Sequence, residues 1–186
     1  MRKLRRFLEP PRREIVPELV GDPETLIVDS MLLSVLHPRQ VAQSAGWGAP
    51  STGAAWVRWG SFAVYGVKLH LLCATNRVPI SYEEIPANIA DVKLTEELLA
   101  GAAGLGREDG LLARGLFGDL AYRSEALEAA LAEAGVLLLT ERSVHGGKRQ
   151  GVEIAFASLK REFRIGETLA RTLTGLATRI AAKIAA

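Results

Sequence analysis

The sequence predicts an α/β layer protein with helices packed on a mixed sheet, and three observations predict it. Apolar runs of strand length, Leu26-Ile-Val-Asp29-Ser30 and Val136-Leu-Leu-Leu-Thr140 among them, are bounded by turn-forming residues. Val152, Phe156, Leu159 and Phe163 recur at i, i+4, i+7 and i+11, which is one apolar stripe of a helix. The order of elements is strand, hairpin, helix, strand, helix, strand, helix, helix, and mixed order of this kind suits a layered sheet.

Taken along the chain, residues 1–24 are basic and broken by Pro10, Pro11, Pro17 and Pro23, so they read as an extended arm, a linker remnant or a short remnant of helix. The run at 26–30 reads as a buried strand that delivers the carboxylate of Asp29 at its end. A strand followed by an Asp-Ser turn explains the same residues. Residues 37–60 read as a long loop rich in Gly, Pro, Ser and Thr, with Trp47, Trp56 and Trp59 in or beside it. Loops of that length in compact domains tend to carry function or to move. With Arg39 and Arg58 nearby, the indoles suit stacking on unpaired bases. They equally suit a satellite cluster that packs the loop onto the sheet.

Residues 62–74 read as a strand with Val67, Leu69 and Leu71 on one face and Lys68 and His70 on the other. A lone histidine there is more often structural than a ligand. Asn76-Arg77 makes a tight turn, and 78–86 returns as the hairpin partner, with Pro79 and Pro86 confining it to an edge or to its own ends. Asn88-Ile-Ala-Asp91 opens a helix with Leu94, Leu98 and Leu99 inward, and Asp91 reads as its N-terminal cap. Residues 111–117 form a strand followed at once by Gly118-Asp119. Ser124 caps a helix with Leu127 and Leu131 as its core positions and Gly135 at its end. The buried strand at 136–140 comes next, then a Gly/basic loop at 144–151, then the striped helix. A last helix at 172–186 carries Leu173, Leu176 and Ile180.

Composition bounds the rest. A chain of 186 residues, 48% hydrophobic and formally +2, is one domain with a sizeable core. No apolar run spans a membrane and no signal-peptide pattern opens the chain. The single cysteine, Cys73, excludes an internal disulfide, with the cytosol as default compartment. Cations crowd both ends: Arg2, Lys3, Arg5, Arg6, Arg12 and Arg13 at the start, and Lys148, Arg149, Lys160, Arg161 and Arg164 among others after residue 144. That bias suits a phosphate backbone and is also common on solvated surfaces.

The acids carry the chemistry. Asp29 and Asp119 each follow an apolar strand run, so if those strands are neighbours the two carboxylates meet at one end of the sheet. Glu153, on the striped helix beside Arg149 and Lys160, can lean over the same edge. A helix with solvated charges accounts for Glu153 without any site. Three converging carboxylates repel one another unless a hard divalent cation joins them. Two such cations suit in-line displacement at a phosphodiester. Glu162 is a weaker third acid, half a turn out of phase with Glu153.

These words together resemble the catalytic domain of bacterial insertion-sequence DDE transposases. The matching words are Val28-Asp29-Ser30, Tyr65-Gly-Val-Lys68-Leu-His70, Ala87-Asn88-Ile-Ala-Asp91, Gly118-Asp119-Leu-Ala-Tyr122, and Arg149 with Glu153 and Lys160. Several transposases of this group carry a tyrosine, arginine, glutamate and lysine signature at their third acid, and Gly146 stands where that tyrosine belongs. Leu173-Thr-Gly175-Leu-Ala-Thr-Arg179-Ile resembles the family's closing helix.

The resemblance implies a ribonuclease H-like fold, a mixed five-stranded sheet with helices on both faces, over residues 25–186, preceded by the basic arm at 1–24. It implies Asp29, Asp119 and Glu153 as catalytic residues holding two Mg²⁺ ions, with Mn²⁺ able to substitute. The reaction would be DNA cleavage at an element's end followed by strand transfer of the freed 3′-hydroxyl to target DNA. Arg149 and Lys160 would contact phosphates near the scissile bond. Lys148, Arg58 and Trp56 are further DNA-binding candidates, from the basic bias and the tryptophan loop. The expected setting is the bacterial cytoplasm and nucleoid, with DNA as partner, no membrane, and a homodimer on DNA. Family members carry a helical DNA-binding region before the first acid, so the short arm here reads as truncation: a fragment, part of a split reading frame or a decayed copy. The competing readings are a remnant that binds DNA without turnover and a nuclease with no strand-transfer step.

Overall fold

A computed structural model of the chain describes residues 2–21, 23–44, 46–47, 53–103, 113–140, 146–167 and 169–186. Its centre is a mixed sheet built on strand β1 (Thr25–Leu36). On one side β1 pairs antiparallel with β3 (Phe62–Ala74), which pairs in turn with β2 (Ala55–Trp59) and β4 (Pro79–Pro86). On the other side β1 pairs parallel with β5 (Gly115–Phe117), and β5 with β6 (Leu137–Leu139). The arrangement is ribonuclease H-like, with six strands where five were expected.

Side-chain alternation splits the core in two. Ile27, Met31 and Leu33 of β1 and Val67, Leu69, Leu71 and Cys73 of β3 face one way. They are covered by Val152, Ala155, Phe156 and Leu159 of helix α4 (Gly146–Arg161) and by Leu176 and Ile180 of α5 (Leu173–Ala185). Leu26, Val28, Leu72 and Ala74 face the other way, against α2 (Thr95–Ala103) and α3 (Glu125–Glu133). Helices therefore cover both faces. Val152, Phe156 and Leu159 of the stripe predicted for α4 are buried, whereas Phe163 lies past the helix end and is half-buried; Ser124 and Thr172 cap α3 and α5 through side-chain oxygens. Pro79 and Pro86 sit at the two ends of β4, where a missing N–H costs the sheet least.

Several elements differ from the sequence reading. The proline-broken start is a helix, α1 (Arg2–Val20), that packs on α5 and β4. Long-range contacts compensate the prolines inside it. Arg12 is 8% exposed and donates to the carbonyls of Pro79 (3.1 Å) and Ile80 (3.0 Å), while Glu9 pairs with Arg12 at 2.9 Å and accepts from the Tyr82 hydroxyl at 2.5 Å. Val16 is buried with the α2 and α3 core. The stretch read as a long loop contains a short 3₁₀ helix, Pro38–Gln43, and β2, whose two-residue turn into β3 uses Gly60 at φ +60°. β6 is an edge strand with Leu137 63% exposed, where a buried strand was expected. The glycine/basic loop is partly α4, which starts at Gly146; residues 141–145 lie outside the described residues. Residues 111 and 112 of the next predicted strand lie outside them too, and β5 begins at Gly115. Finally, Asp29 lies within β1, not at its end, although the pairing of β1 with β5 stops just before it.

Candidate acidic site at the sheet end

The register of β1 and β5 ends on the pair Ile27 and Phe117. Two residues further along come Asp29, still within β1, and Asp119, just past the end of β5. Asp29 shares the parity of Ile27 and Met31, which puts it on the face covered by α4. Its Oδ1 accepts the Ser30 N–H at 2.8 Å. Asp119 leaves the strand in extended conformation and caps a one-turn helix, Leu120–Tyr122, by accepting the Ala121 N–H at 2.8 Å. Both carboxylates remain partly accessible.

Helix α4 packs on β1 and β3. A Cβ at Gly151 would sit 3.2 Å from Ile27 Cδ1, so the glycine lets the helix lie close to β1 just below Asp29. Glu153 follows on the next turn and is exposed, as is Lys160 near the helix end. Arg149 and Lys148 are on the first turn of α4, and their side chains lie outside the described residues. Among the described residues no three His, Cys, Asp or Glu side chains are gathered closely enough to hold a metal ion. Asp29 and Asp119 thus each follow the last β1–β5 pair by two residues, and Glu153 stands on α4, which packs on β1. Glu162 is exposed and salt-bridged to Arg161 at 2.7 Å, away from the pair.

The opposite sheet face carries a polar network that sequence reasoning missed. Asp91 is not the helix cap expected; the cap of its one-turn helix is Ala90, without a side-chain bond. Its carboxylate instead accepts the Ser30 hydroxyl at 2.8 Å and pairs closely with the Lys68 ammonium. His70 is fully buried opposite Ser30, with Nδ1 3.0 Å from the Tyr122 hydroxyl. Burial holds the His70 imidazole down to about 4 from its ordinary 6.5; Asp91 acts in the opposite sense and Lys68 adds to the lowering. Burial pushes the Tyr122 phenol upward, with Asp91, Asp29 and Asp119 adding to the rise and a Ser30 hydrogen bond opposing it. Burial likewise raises Cys73, with Asp29 contributing. Every one of these residues except Cys73 lies in a word already quoted from the sequence, yet only the three-dimensional contacts give them work.

The donor chemistry, carboxylate oxygens from Asp29 and Asp119, is of the kind that suits a hard cation. Two adjacent carboxylates, with water and phosphate oxygens completing the shell, are what Mg²⁺ commonly takes.

The tryptophans divide between the two roles considered for them. Trp47 is buried and donates to the Ala170 carbonyl at 3.0 Å, so it packs its segment onto the core. Trp56 is 46% exposed and lies 5.3 Å from the Tyr65 ring, and Trp59 and Phe62 flank the hairpin turn, also exposed. Arg58 shares the strand with Trp56 and is exposed. Between Asp29 and Glu83 the sequence contains no acidic residue, so this hairpin belongs to a stretch whose charged side chains are cationic. Among the described residues no helix is long and apolar enough to cross a membrane.

Comparison with known proteins adds the following. The family model described as "Transposase DDE domain" matches residues 20–186. No curated protein matches the chain. Among solved structures, the catalytic core domain of BIV integrase is similar at 15% identity and TM-score 0.46, covering 72% of this chain and 82% of that one. A Mos1 transposase paired-end complex with left transposon end is similar at 13% identity and TM-score 0.44, covering 91% and 57%. The catalytic domain of Mos1 mariner transposase follows at 10% identity and TM-score 0.41, covering 99% and 89%. The chain thus spans less than two thirds of the Mos1 chain in the paired-end complex.

Proposed function

The chain belongs to the transposase DDE domain family, and from that premise we propose that it catalyses metal-dependent cleavage and strand transfer of DNA. The observation that supports this reading is the parallel pairing of β1 with β5, whose last pair, Ile27 and Phe117, precedes Asp29 and Asp119 by two residues each. In the proposal Asp29 and Asp119 hold Mg²⁺ or Mn²⁺, and Glu153 completes the set from the helix above. Bound there, divalent cations supply charge stabilisation for attacking and leaving oxygens of a phosphodiester displacement. The chain's own residues orient the DNA. Lys160, Arg149 and Lys148 lie along α4 and meet phosphates beside the scissile bond. Arg58 and Trp56, on the hairpin, meet backbone and bases further out. A homodimer bridging two element ends in the bacterial nucleoid is the setting proposed for it.

The test is nicking of supercoiled plasmid DNA in Mg²⁺ or Mn²⁺, with joined products scored on the same gel. Nicking and joining that vanish in chelator support the assignment. Nicking without joined products leaves a nuclease. A second reading, a remnant that only binds DNA, draws on the absence of a three-acid cluster among the described residues and on Gly146 in place of the signature tyrosine. Retention of DNA without any cleavage, in either metal, selects it.

A further inference from the structure

The β2–β3 hairpin carries exposed aromatic rings on both of its faces. Cross-strand partners share a face, so Trp56 with Tyr65 and Arg58 with Ala63 lie on one side of the ribbon, and Trp59 with Phe62 on the other. Tyr65 has the parity of Val67, Leu69 and Leu71, so the first side is the one that carries Asp29. Trp59 and Phe62 stand directly opposite one another across the Gly60-Ser61 turn and are 60% and 73% exposed. A Cβ at Gly60 would meet nothing within 4 Å, so the turn projects clear of the other described residues. Among the described residues neither of these two rings packs on another aromatic ring, whereas Trp56 leans on Tyr65.

Clustered bare rings mark a surface that something covers, and charge selects the occupant. Every charged side chain between Asp29 and Glu83 is cationic, and Arg58 stands beside Trp56, so the partner is a polyanion with flat apolar faces. A closed duplex offers phosphates and base edges, whereas rings stack only on bases that have left the helix. A two-stranded ribbon, roughly 10 Å through its side chains, is also far too thick to slip between stacked base pairs. Rings on both faces are satisfied together only where the two strands part around it. We propose that the β2–β3 hairpin is a strand-separating pin: Trp56 and Arg58 hold the strand that runs toward Asp29, and Trp59 with Phe62 stack on unpaired bases of its complement. From Phe62 to Leu71, the partner of Asp29, β3 runs nine residues, roughly 30 Å of extended chain. The pin therefore acts about nine base pairs from the acids, well off the reacting atoms. It rests on the DNA reading given above and adds to it a preferred substrate, DNA that is forked or locally unpaired.

Fluorescence anisotropy of the full chain on two labelled DNAs tests it in chelator, where no strand is cut: a duplex forked at one end, and the closed duplex of the same sequence. The parent is expected to bind the fork about fivefold or more tighter than the closed duplex, the least that one stacked base supplies. Trp59→Ala combined with Phe62→Ala is expected to bind the two alike, and Trp59→Phe, which keeps a ring, to retain the preference. A fluorescent base analogue in the complement's unpaired arm should be quenched by the parent and not by the double variant. Equal affinity for fork and duplex in the parent, tighter binding of the closed duplex, or a preference that survives in the double variant each overturns the pin and leaves the DNA reading standing. Self-association lost in the double variant with its fork preference intact gives the tip to a second copy and likewise overturns the pin. A parent chain that binds neither DNA overturns the DNA reading and the pin with it.

Discussion

Lowering the pH should unfold this protein through His70, and the effect can be sized. The imidazole is fully buried between Tyr122, Lys68 and Asp91, and its pKa falls from 6.5 to about 4. In the unfolded chain it takes up a proton below about pH 6.5, whereas in the folded chain it does so only near pH 4. Between these values the unfolded state binds more protons, so stability rises with pH there. The contribution is therefore complete above pH 6.5, declines as pH falls toward 4, and levels off below. A displacement of this size corresponds to about 3 kcal/mol. For a domain of this length that is about 10 °C in melting temperature. The assay is a series of thermal melts between pH 4 and 7.5 on the parent chain and on His70→Gln, whose amide can still bond the Tyr122 hydroxyl. The parent is expected to lose most of that interval and the variant much less, since the two chains differ only at this side chain. Superimposable pH profiles would show that His70 is not the group responsible.

Three further outcomes are expected. Asp29→Asn and Asp119→Asn each abolish metal-dependent nicking while circular dichroism stays that of the parent, and substantial nicking by either removes that residue from the site. Arg12→Ala leaves the Pro79 and Ile80 carbonyls and Glu9 without their buried partner, a loss of about 3 kcal/mol by analogy with broken buried pairs; denaturant melts read it, and an unchanged midpoint means that α1 does not need the anchor. Arg58→Ala lowers the salt dependence of DNA binding by about one phosphate contact, whereas Trp56→Ala weakens single-stranded DNA by about 1–3 kcal/mol and leaves that slope unchanged; titrations at several salt concentrations separate the two, and parent-like curves take the hairpin off the DNA.

The parts of this fold that were legible in the sequence are those with a local signal. The stripe of Val152, Phe156 and Leu159 reports which face of α4 is buried because helical periodicity needs no knowledge of the partner. Ser124 announces its helix for the same reason, since a cap bonds residues three positions away. Asp29 and Asp119 stood out because each follows an apolar run, although the full length of β1 did not: Ser30 and Ser34 interrupt its apolar pattern. Long-range compensation escaped detection. Prolines within α1 argue against a helix locally, and only Arg12 reaching Pro79 and Ile80 explains why one persists. Asp91 looked like a cap because caps are local, whereas its partners Ser30 and Lys68 come from two distant strands. Trp56 and Trp59 were read into a loop because the residues before them are small and turn-forming. Their pairing with Tyr65 and Phe62 becomes visible only once β3 is in place.

The proposed convergence of Asp29, Asp119 and Glu153 can be tested directly by iron-directed backbone cleavage, in which Fe²⁺ would take the proposed cation's place and ascorbate generates cutting radicals where it binds. Fragments ending near residues 29 and 119, joined by a third set in α4 near Glu153 and all suppressed by excess Mg²⁺, are the predicted pattern. Cuts that avoid both β1 and the turn after β5 contradict it.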